Sequence, residues 1–460
     1  MANSRKLKSN TNSKLRERVA TALHAIVPSG SSLSVGLSGG VDSVVLLHLL
    51  VQMSSRFQYR LSALHVHHGI SAHADSWAAF CTELCAKYAV PLQIEHVDIN
   101  PLRAMGIEAA ARQLRHAALA QQAVDFIALA HHRDDQAETL LLQLLRGAGV
   151  RGASAMQIHQ PRHNLPALLR PLLDIDRSEL EDYARAHELR WVEDDSNLDV
   201  TYPRNFLRHQ VLPVLAQRFP AYRTTLARSA RHFAEAAELL DELAVQDAAI
   251  AIAGEGLSVP ALCQLGTARG KNLLRYFLAV RGAPIPDTSR LTEMQRQLCS
   301  AGQEAQICIA WQGWQLRCYR QQAYVFPALL PPVDFAIAWN GEAELVLPAS
   351  HGILHFARVR GSGLSVASLL QAGVSVQSRK GSEHIKLDAA RPRQSLRNLL
   401  PQRAIPPWQR EQLPLLYGGD ELVCVPGVAS ACDYAARVDE DGVLVSWQYW
   451  ASMPDSKGHL

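Results

Sequence analysis

Six consecutive residues combine glycines, hydroxyls and a carboxylate in a pattern suited to nucleotide binding. They are Ser38, Gly39, Gly40, Val41, Asp42 and Ser43. Apolar runs at 33–37 and 44–50 flank them, which predicts a strand, a tight loop and a helix. The glycines let the backbone approach a ligand, and the first helical amides bind anions such as pyrophosphate. Asp42 either caps the helix or holds a divalent cation. An ordinary turn is the alternative.

Three carboxylates follow a second apolar run, at 125–130. Asp135 and Glu138 lie three residues apart and share one face of a predicted helix, with Asp134 beside them. Grouped acids need a cation, so we expect Asp135 and Glu138 to bind magnesium or an amine substrate. Asp134 has two open roles, as a ligand or as a group that complements the helix dipole.

Two histidines end another predicted strand. His65 and His67 alternate onto one face, but no carboxylate or cysteine nearby completes a metal site. We therefore expect imidazoles that line the nucleotide site or pack near it. Arg112 follows Glu108 by four residues, which fits either a surface ion pair or contact with nucleotide or RNA. The spacing does not decide between them.

A basic pair follows Pro203, which is well placed to begin a helix. Arg204 and Arg208 share one helical face and have Asn205 between them. They form either a solvated face or an RNA contact. Further along, Arg393, Arg397 and Arg410 surround Trp408, and basic residues interleaved with an aromatic ring suit an RNA backbone.

The elements that must position these residues alternate along the first half of the chain. Strands are predicted at 60–66, 92–97 and 125–130, with helices at 74–89, 107–122 and 135–146. This alternation predicts an α/β fold with right-handed crossovers and a parallel sheet. Ligands bind beyond the carboxyl ends of such strands, where the polar motifs fall.

Composition restricts the class of protein. The chain has 460 residues, of which 48% are hydrophobic and 19% charged, with a formal net charge of +3. These values predict two to four globular domains and leave an RNA partner to be argued from local clusters. No apolar run is long enough for a membrane helix, so we expect no membrane association and a cytoplasmic location. Eight scattered cysteines without a C-x-x-C pair predict reduced thiols.

Four segments are predicted. Residues 1–18 are basic and lack a signal-peptide core, so we expect a disordered tail rather than a signal peptide or anchor. Residues 19–218 form the nucleotide-binding domain, and 219–328 form a helical, mixed α+β middle domain. A proline-rich linker at 327–332 precedes a strand-rich α+β domain over 336–460.

The loop 38–43 resembles the SGGxDS loop of the N-type ATP pyrophosphatases, or PP-loop enzymes, which split ATP between the α and β phosphates and adenylate an acceptor oxygen. Further motifs, in order and spacing, resemble those of the tRNA(Ile)-lysidine synthetase family in its long bacterial form. They are 65–69, 108–112, 131–139, 145–147, 170–172, 194–197, 204–205 and 391–397. One departure is Arg397-Asn398, which stands where the family has Lys-Lys.

The resemblance implies a ligase that adenylates C2 of the wobble cytidine of tRNA(Ile) with a CAU anticodon. Free L-lysine then displaces AMP to form lysidine. It implies ATP at the loop and at His65 and His67, with Mg²⁺ on Asp42 and Asp135. It also implies that the catalytic residues are Asp42, Asp135, Glu138 and Arg112. The domains over 219–328 and 336–460 would bind tRNA. The tRNA-binding residues would be Arg204, Asn205, Arg208, Arg393, Arg397, Trp408 and Arg410.

Two alternatives stay open. One is another PP-loop enzyme acting on tRNA, which would thiolate or amidate its substrate. Thiolation needs a reactive cysteine, and the early ones, Cys81 and Cys85, lie within a predicted helix. The other is a tRNA-binding protein without catalysis. A homodimer is compatible with either function.

Overall fold

The computed structural model describes residues 2–194, 198–302, 307–348 and 351–449, but not the side chains of 2–12, 105 and 108. The predicted motif residues 195–197 and the side chain of Glu108 therefore lie outside the description. The chain divides into two compact units, Met1–Leu240 and Asp241–Leu460. Among the described helices, none is both long and apolar enough to cross a membrane.

The first unit contains a sheet with the strand order β3-β2-β1-β4-β6-β5. Its strands are β1 (Ser32–Gly36), β2 (Arg60–His67), β3 (Leu92–His96), β4 (Phe126–Ala128), β5 (His159–Gln160) and β6 (Ala167–Leu169). β1 pairs in parallel with β2 and β4, β2 with β3, and β4 with β6, whereas β5 runs antiparallel to β6. The predicted parallel-sheet α/β fold is confirmed.

Helices connect these strands and continue beyond them. They are α1 (Ala2–Ile26), α2 (Val41–Phe57), α3 (Ala74–Lys87), α4 (Ile107–Ala120), α5 (Arg133–Leu145), α6 (Val150–Ala153), α7 (Arg177–Ala186), α8 (Pro203–Phe206), α9 (Leu212–Arg218) and α10 (Tyr222–Ala251). A 3-10 turn spans Asn100–Met105 and a π-helical turn spans Leu207–Val211. The core on one sheet face contains α2 and α7, whereas α4 packs on the other.

Helix α1 corrects the expectation of a disordered tail over residues 1–18. Leu15, Val19 and Leu23 recur every four residues and are buried in the core that contains α2 and α7. Arg18 also pairs with Glu179 of α7 at 3.1 Å. The prediction overlooked this apolar stripe because the basic residues around Leu15 dominate the composition.

The second unit begins with a mixed region. It contains β7 (Ile252–Ala253), β8 (Gly256–Ser258), α11 (Val259–Gln264), α12 (Gly266–Val280), α13 (Thr288–Ser300), β9 (Cys308–Trp311), β10 (Trp314–Tyr319) and β11 (Gln322–Pro327). The strands form a sheet of order β7-β8-β11-β10-β9, and the helices share its core.

The rest of the second unit is rich in strands, as predicted. It contains β12 (Ala336–Ala338), β13 (Glu344–Val346), β14 (Ile353–Arg360), β15 (Leu364–Ser365), α14 (Val366–Ala372), β16 (Val374–Gln377), β17 (His384–Ile385), β18 (Gln394–Ser395), α15 (Leu396–Gln402), α16 (Pro407–Arg410), β19 (Leu415–Gly418), β20 (Glu421–Val425), β21 (Ala429–Ser430), a 3-10 turn (Cys432–Tyr434) and β22 (Asp441–Gln448).

The prediction of reduced thiols is wrong for one pair. Cys263 of α11 and Cys299 of α13 form a disulfide, with their Cα atoms 5.6 Å apart. The two cysteines are 36 residues apart in the chain. Only the packing of α11 against α13 brings them together, so their spacing carried no signal.

Candidate active site

The loop after β1 has the backbone that its glycines predict. Gly39 has a φ of +88°, a left-handed conformation that side chains rarely adopt. A Cβ atom there would lie 2.8 Å from Cγ2 of Val192, and the Val192 amide donates to the Gly39 carbonyl at 3.0 Å. Both the φ angle and the close approach require glycine at this position.

Hydroxyl groups hold the loop in shape. The hydroxyls of Ser38 and Ser43 lie 3.1 Å apart, and Ser43 donates to the Gly40 carbonyl at 2.9 Å. Gly40, not Asp42, occupies the N-cap position of α2, and no side chain caps this helix. The amides at this end of α2 are therefore available to an anion.

Asp42 lies in the first turn of α2, so its predicted role as a helix cap is wrong. Its Oδ1 atom is buried and has no hydrogen-bond partner among the described residues. Its Oδ2 atom lies 3.6 Å from Nε2 of His132, which follows the neighbouring strand β4. A buried, unsatisfied carboxylate oxygen beside an anion-binding loop is a group that could hold a divalent cation.

His132 connects the carboxylates at the ends of β1 and β4. It is only 2% exposed, and its ring nitrogens lie 3.4 Å from Asp135 and 3.8 Å from Asp134. Burial opposes the charged imidazole, but the charges of Asp135, Asp42 and Asp134 outweigh it and raise the pKa of His132. The three acids therefore favour the protonated form of this ring.

Asp135 and Glu138 form ion pairs with arginine side chains of the same chain. Glu138, 1% exposed, accepts from Nε of Arg204 and from Nε of Arg208, each at 2.7 Å. The same arginines reach Oδ1 of Asp135 at 2.9 and 3.3 Å. Burial opposes ionisation of Asp135, but the charges of His132 and Arg204 outweigh it and lower its pKa. Within the described residues, no group of three or more ligand side chains could hold a metal.

This pairing changes the interpretation of the basic residues after Pro203. Arg204 and Arg208 were predicted to form a solvated helix face or an RNA contact, but here they bind buried acids. Asn205 between them donates from Nδ2 to the Asp199 carbonyl at 2.9 Å. Their long separation from Asp135 and Glu138 in the chain concealed these ion pairs.

Asp134 connects helix α5 to neighbouring helices. It pairs with Arg223 and accepts the Arg177 amide at 3.2 Å. Asp135 meanwhile accepts the His132 amide at 3.0 Å through Oδ2, which stabilises the start of α5. The predicted role of Asp134 as a ligand therefore gives way to one in holding α5 and α7 together.

The histidines of β2 lie close to the loop but are already engaged. His65 is buried, and its Nδ1 atom lies 2.9 Å from the Leu37 carbonyl. Burial lowers the pKa of His65, which keeps the ring neutral. His67 Nε2 lies 3.0 Å from Asp75. These contacts place His65 beside the loop. The role of His65 and His67 in binding ATP stays a prediction.

Two of the four predicted RNA contacts in the second unit are internal. Trp408 is 6% exposed and packs against Tyr319, Tyr324 and Phe326. Arg410 donates to the Tyr319 hydroxyl at 3.0 Å. Trp408 therefore offers no open ring face to a base. The sequence pattern did not predict this packing because the partner rings lie on the distant β10–β11 hairpin.

The other two predicted contacts are exposed. Arg393 pairs with Glu421 on the surface, and Arg397 lies exposed in the first turn of α15. Their contact with RNA stays a prediction.

The sheet order, the glycine loop after β1 and the acids after β4 define a PP-loop ATP-using domain. The family model for the PP-loop domain matches residues 8–215. The models for the TilS substrate binding domain and the TilS substrate C-terminal domain match 257–324 and 374–447.

Relatives that match most of this chain identify the family within that class of protein. The chain is 45% identical over 429 residues to the tRNA(Ile)-lysidine synthase of Nitrosomonas europaea, covering 92% of this chain and 93% of that protein. The enzyme of an Azoarcus species is 40% identical, covering 92% and 93% respectively. That of Ralstonia nicotianae is 40% identical, covering 94% and 96%. The chain belongs to the tRNA(Ile)-lysidine synthase family, which confirms the resemblance in its motifs.

Proposed function

We propose that this protein is a ligase that uses ATP to join lysine to C2 of the wobble cytidine of tRNA(Ile) with a CAU anticodon. The observation that carries the proposal is the loop 38–43, with the unsatisfied oxygen of Asp42 beside it, in a chain of this family. The acids that follow β4 adjoin this loop, together with Arg204 and Arg208, which bind them.

The first step adenylates the base. The carbonyl oxygen at C2 attacks the α-phosphorus of ATP, an O–P bond forms, and the bond to the β-phosphate oxygen breaks. Pyrophosphate leaves with the electron pair. The amides at the start of α2, with the left-handed turn at Gly39, hold the leaving pyrophosphate.

The residues fit Mg²⁺ at one position. Asp42 would hold the ion through Oδ1, since that oxygen is buried and unsatisfied within the described residues. Bound Mg²⁺ neutralises charge on the phosphates during displacement. Asp135, the other predicted ligand, uses its oxygens for Arg204, Arg208 and the His132 amide, so it is the weaker candidate.

The second step forms lysidine. The side-chain amine of lysine attacks C2, a C–N bond forms, the C–O bond to AMP breaks, and the nitrogen loses a proton. Asp135 and Glu138 are the carboxylates that suit an ammonium group, but Arg204 and Arg208 hold them in the free protein. We propose that lysine binds in competition with one of these guanidinium groups.

Displacement of an arginine would also prepare the proton acceptor. The charge of Arg204 helps lower the pKa of Asp135. Removing that charge raises the pKa and makes the carboxylate a better base for the amine. In Arg208→Met, we expect a lower KM for lysine, because one competitor is gone. In Arg185→Met, on the exposed face of α7, the KM should not change. An unchanged or higher KM in Arg208→Met would exclude competition with Arg208.

The deciding measurement is incorporation of radiolabelled lysine into unmodified tRNA(Ile) transcript with ATP and Mg²⁺. A methionine tRNA with the same anticodon serves as the control. Label in the first tRNA alone is expected. Pyrophosphate release without incorporation of label would support the ATP site but contradict lysine as the amine substrate.

A variant separates the two steps. Asp135→Ala should reduce lysine incorporation more than tRNA-dependent pyrophosphate release, because the carboxylate serves the amine step. If both steps are unchanged, Asp135 has no part in the mechanism. Asp182→Ala, on exposed α7, is the matched control.

The alternatives fit the site less well. Burial raises the pKa of the Cys81 thiol to about 12 and that of Cys85 to about 11, so neither is a reactive thiolate for thiolation. Amidation requires a glutaminase domain that the sequence motifs do not indicate. For a protein that only binds tRNA, pyrophosphate release with tRNA but without lysine would be absent. The three predicted domain boundaries, the cytoplasmic location and the homodimer stay predictions.

A further inference from the structure

The chain that follows α7 lies directly on the ATP loop, residues 38–43. Leu189 is buried in the core that contains α2 and α7, and Trp191 packs against the same core. Val192, the next residue, is half-buried. Its amide donates to the Gly39 carbonyl at 3.0 Å, and its Cγ2 atom would lie 2.8 Å from a Cβ atom built at Gly39. Val192 therefore contacts the glycine at which the loop turns, through both its backbone and its side chain.

Helix α7, which carries this segment, is anchored along its length. At its start, Arg133 of α5 donates to Asp176 through Nη1 at 2.8 Å and to the Ile175 carbonyl through its amide at 2.9 Å. In its middle, Leu180 and Tyr183 are fully buried in the core. Helix α7 and the residues that follow it therefore form a fixed support for the loop.

The loop needs such a support because its turn depends on glycine. Gly39 has a φ of +88°, and glycine has access to many other backbone conformations, so contacts must select this one. The hydroxyls of Ser38 and Ser43 contact the amide and the carbonyl of Gly40, at 3.3 and 2.9 Å respectively. The carbonyl of Gly39, by contrast, accepts the Val192 amide. Val192 therefore holds a part of the loop that these two hydroxyls do not.

The direction of one amide follows from this contact. The peptide between Gly39 and Gly40 is trans, so its carbonyl and its amide point to opposite sides of one rigid plane. By fixing the Gly39 carbonyl, Val192 also directs the Gly40 amide away from itself. Gly40 is the N-cap of α2, so this amide lies beside those that would receive pyrophosphate. Val192 is thus placed to set the orientation of an anion-binding group that it does not itself contain.

We propose that Val192 is a positioning residue for the ATP loop, which fixes the Gly39–Gly40 peptide in the orientation that binds the phosphates of ATP. This inference rests on the proposed function in taking ATP as the ligand of the loop. It adds a residue from outside the loop, more than 150 positions along the chain, to those that determine the affinity for ATP.

The test is calorimetric titration of the whole protein with ATP and Mg²⁺, without tRNA. Val192→Gly should raise the Kd for ATP about two- to fivefold, because the freedom that a glycine regains corresponds to a factor of this size. A variant that is only less stable would instead show fewer binding sites with an unchanged Kd. Val192→Thr keeps the branched shape of the side chain and should restore the wild-type Kd. Val124→Gly, at a half-buried valine that precedes β4 at the amino edge of the sheet, is the matched control and should leave the Kd unchanged.

A double variant tests the contact itself. Gly39→Ala brings a Cβ atom against Val192, and Val192→Gly removes the atom that this Cβ would meet. If the two residues act through their contact, the loss of ATP affinity in the double variant should be smaller than the product of the two single losses.

Three results would overturn the inference. A wild-type Kd in Val192→Gly would mean that the loop keeps its shape without Val192. Equal losses in Val192→Gly and Val192→Thr would mean that the shape of the side chain has no part in holding the loop. Losses that simply multiply in the double variant would mean that the contact with Gly39 is irrelevant. Failure of the proposed function looks different, because the wild-type protein would then bind ATP without incorporating lysine, and the titrations would still decide the role of Val192.

Discussion

Glu138 offers a direct test of whether buried ion pairs hold the site together. The substitution Glu138→Gln removes the carboxylate that accepts from Arg204 and Arg208 and leaves Asp135 as their remaining anion. Breaking a buried charge pair by removing one partner costs about 3–5 kcal/mol, because the other charge stays desolvated. Since 1 kcal/mol shifts the Tm of a domain of this size by roughly 2–4 °C, we expect the first unit to melt about 6–20 °C lower.

Glu181→Gln is the matched control. Glu181 also contacts two arginines, Arg177 at 3.3 Å and Arg185 at 3.2 Å, but on an exposed helix face. Exposed pairs contribute about 0–1 kcal/mol, so the Tm should fall by less than about 4 °C. Thermal and urea unfolding of both variants measure the difference.

A double-mutant cycle completes the design. Arg208→Met added to Glu138→Gln removes one of the two stranded guanidinium groups and should recover part of the lost free energy of unfolding. If Glu138→Gln and Glu181→Gln lose equal stability, or the double variant recovers nothing, then the buried ion pairs do not stabilise this site.

Three further outcomes are expected. Gly39→Ala and Gly30→Ala both place alanine at a left-handed φ, but only the former brings Cβ against a neighbouring residue at the ATP loop. Calorimetry should show ATP binding weakened about tenfold or more in Gly39→Ala and nearly unchanged in Gly30→Ala; equal losses would contradict the loop geometry. The raised pKa of His132 predicts stability that is complete below the ordinary value of 6.5 and lost as the pH rises through the raised value. The difference in free energy of unfolding between the wild type and His132→Gln should therefore shrink in urea titrations as the pH is raised from below 6.5 through the raised pKa, and a constant difference would count against the charged ring. Trp408→Ala should cost the second unit about 3–5 kcal/mol, whereas exposed Arg397→Ala should cost less than about 0.5; similar melting curves would mean that Trp408 is not core.

Local patterns were sufficient to predict the parallel sheet of the first unit and the loop after β1. Alternating apolar runs and the glycine pair between β1 and α2 follow from rules that act within a few residues, so the parallel α/β fold and the loop position could be inferred. Helix α1 was missed because its apolar stripe, Leu15, Val19 and Leu23, is diluted by basic residues. The disulfide Cys263–Cys299 was missed because it depends on packing between helices.

The site was predicted only in part for the same reason. The carboxylates of Asp135 and Glu138 were found from helical spacing, but the cation expected beside them was magnesium or an amine substrate rather than arginine. Their partners, Arg204 and Arg208, lie more than sixty residues away in the chain. Nothing local to the arginines distinguishes an ion pair with a buried acid from a contact with RNA. Pairing across such distances is set by tertiary structure.

The charges of the completed cluster constrain how a cationic substrate enters it. Four carboxylates face four basic side chains: Asp42, Asp134, Asp135 and Glu138 against His132, Arg204, Arg208 and Arg223. The ammonium of lysine would add a positive charge to a group that is already balanced. It must therefore displace a guanidinium group or enter together with an anion, and the adenylated RNA brings a phosphate to this same edge. An arginine that leaves Asp135 for that phosphate would open the carboxylate to lysine at the stage when the amine is needed. If lysine binds here as proposed, this coupling would give the arginines beside Asp135 and Glu138 a role in the amine step.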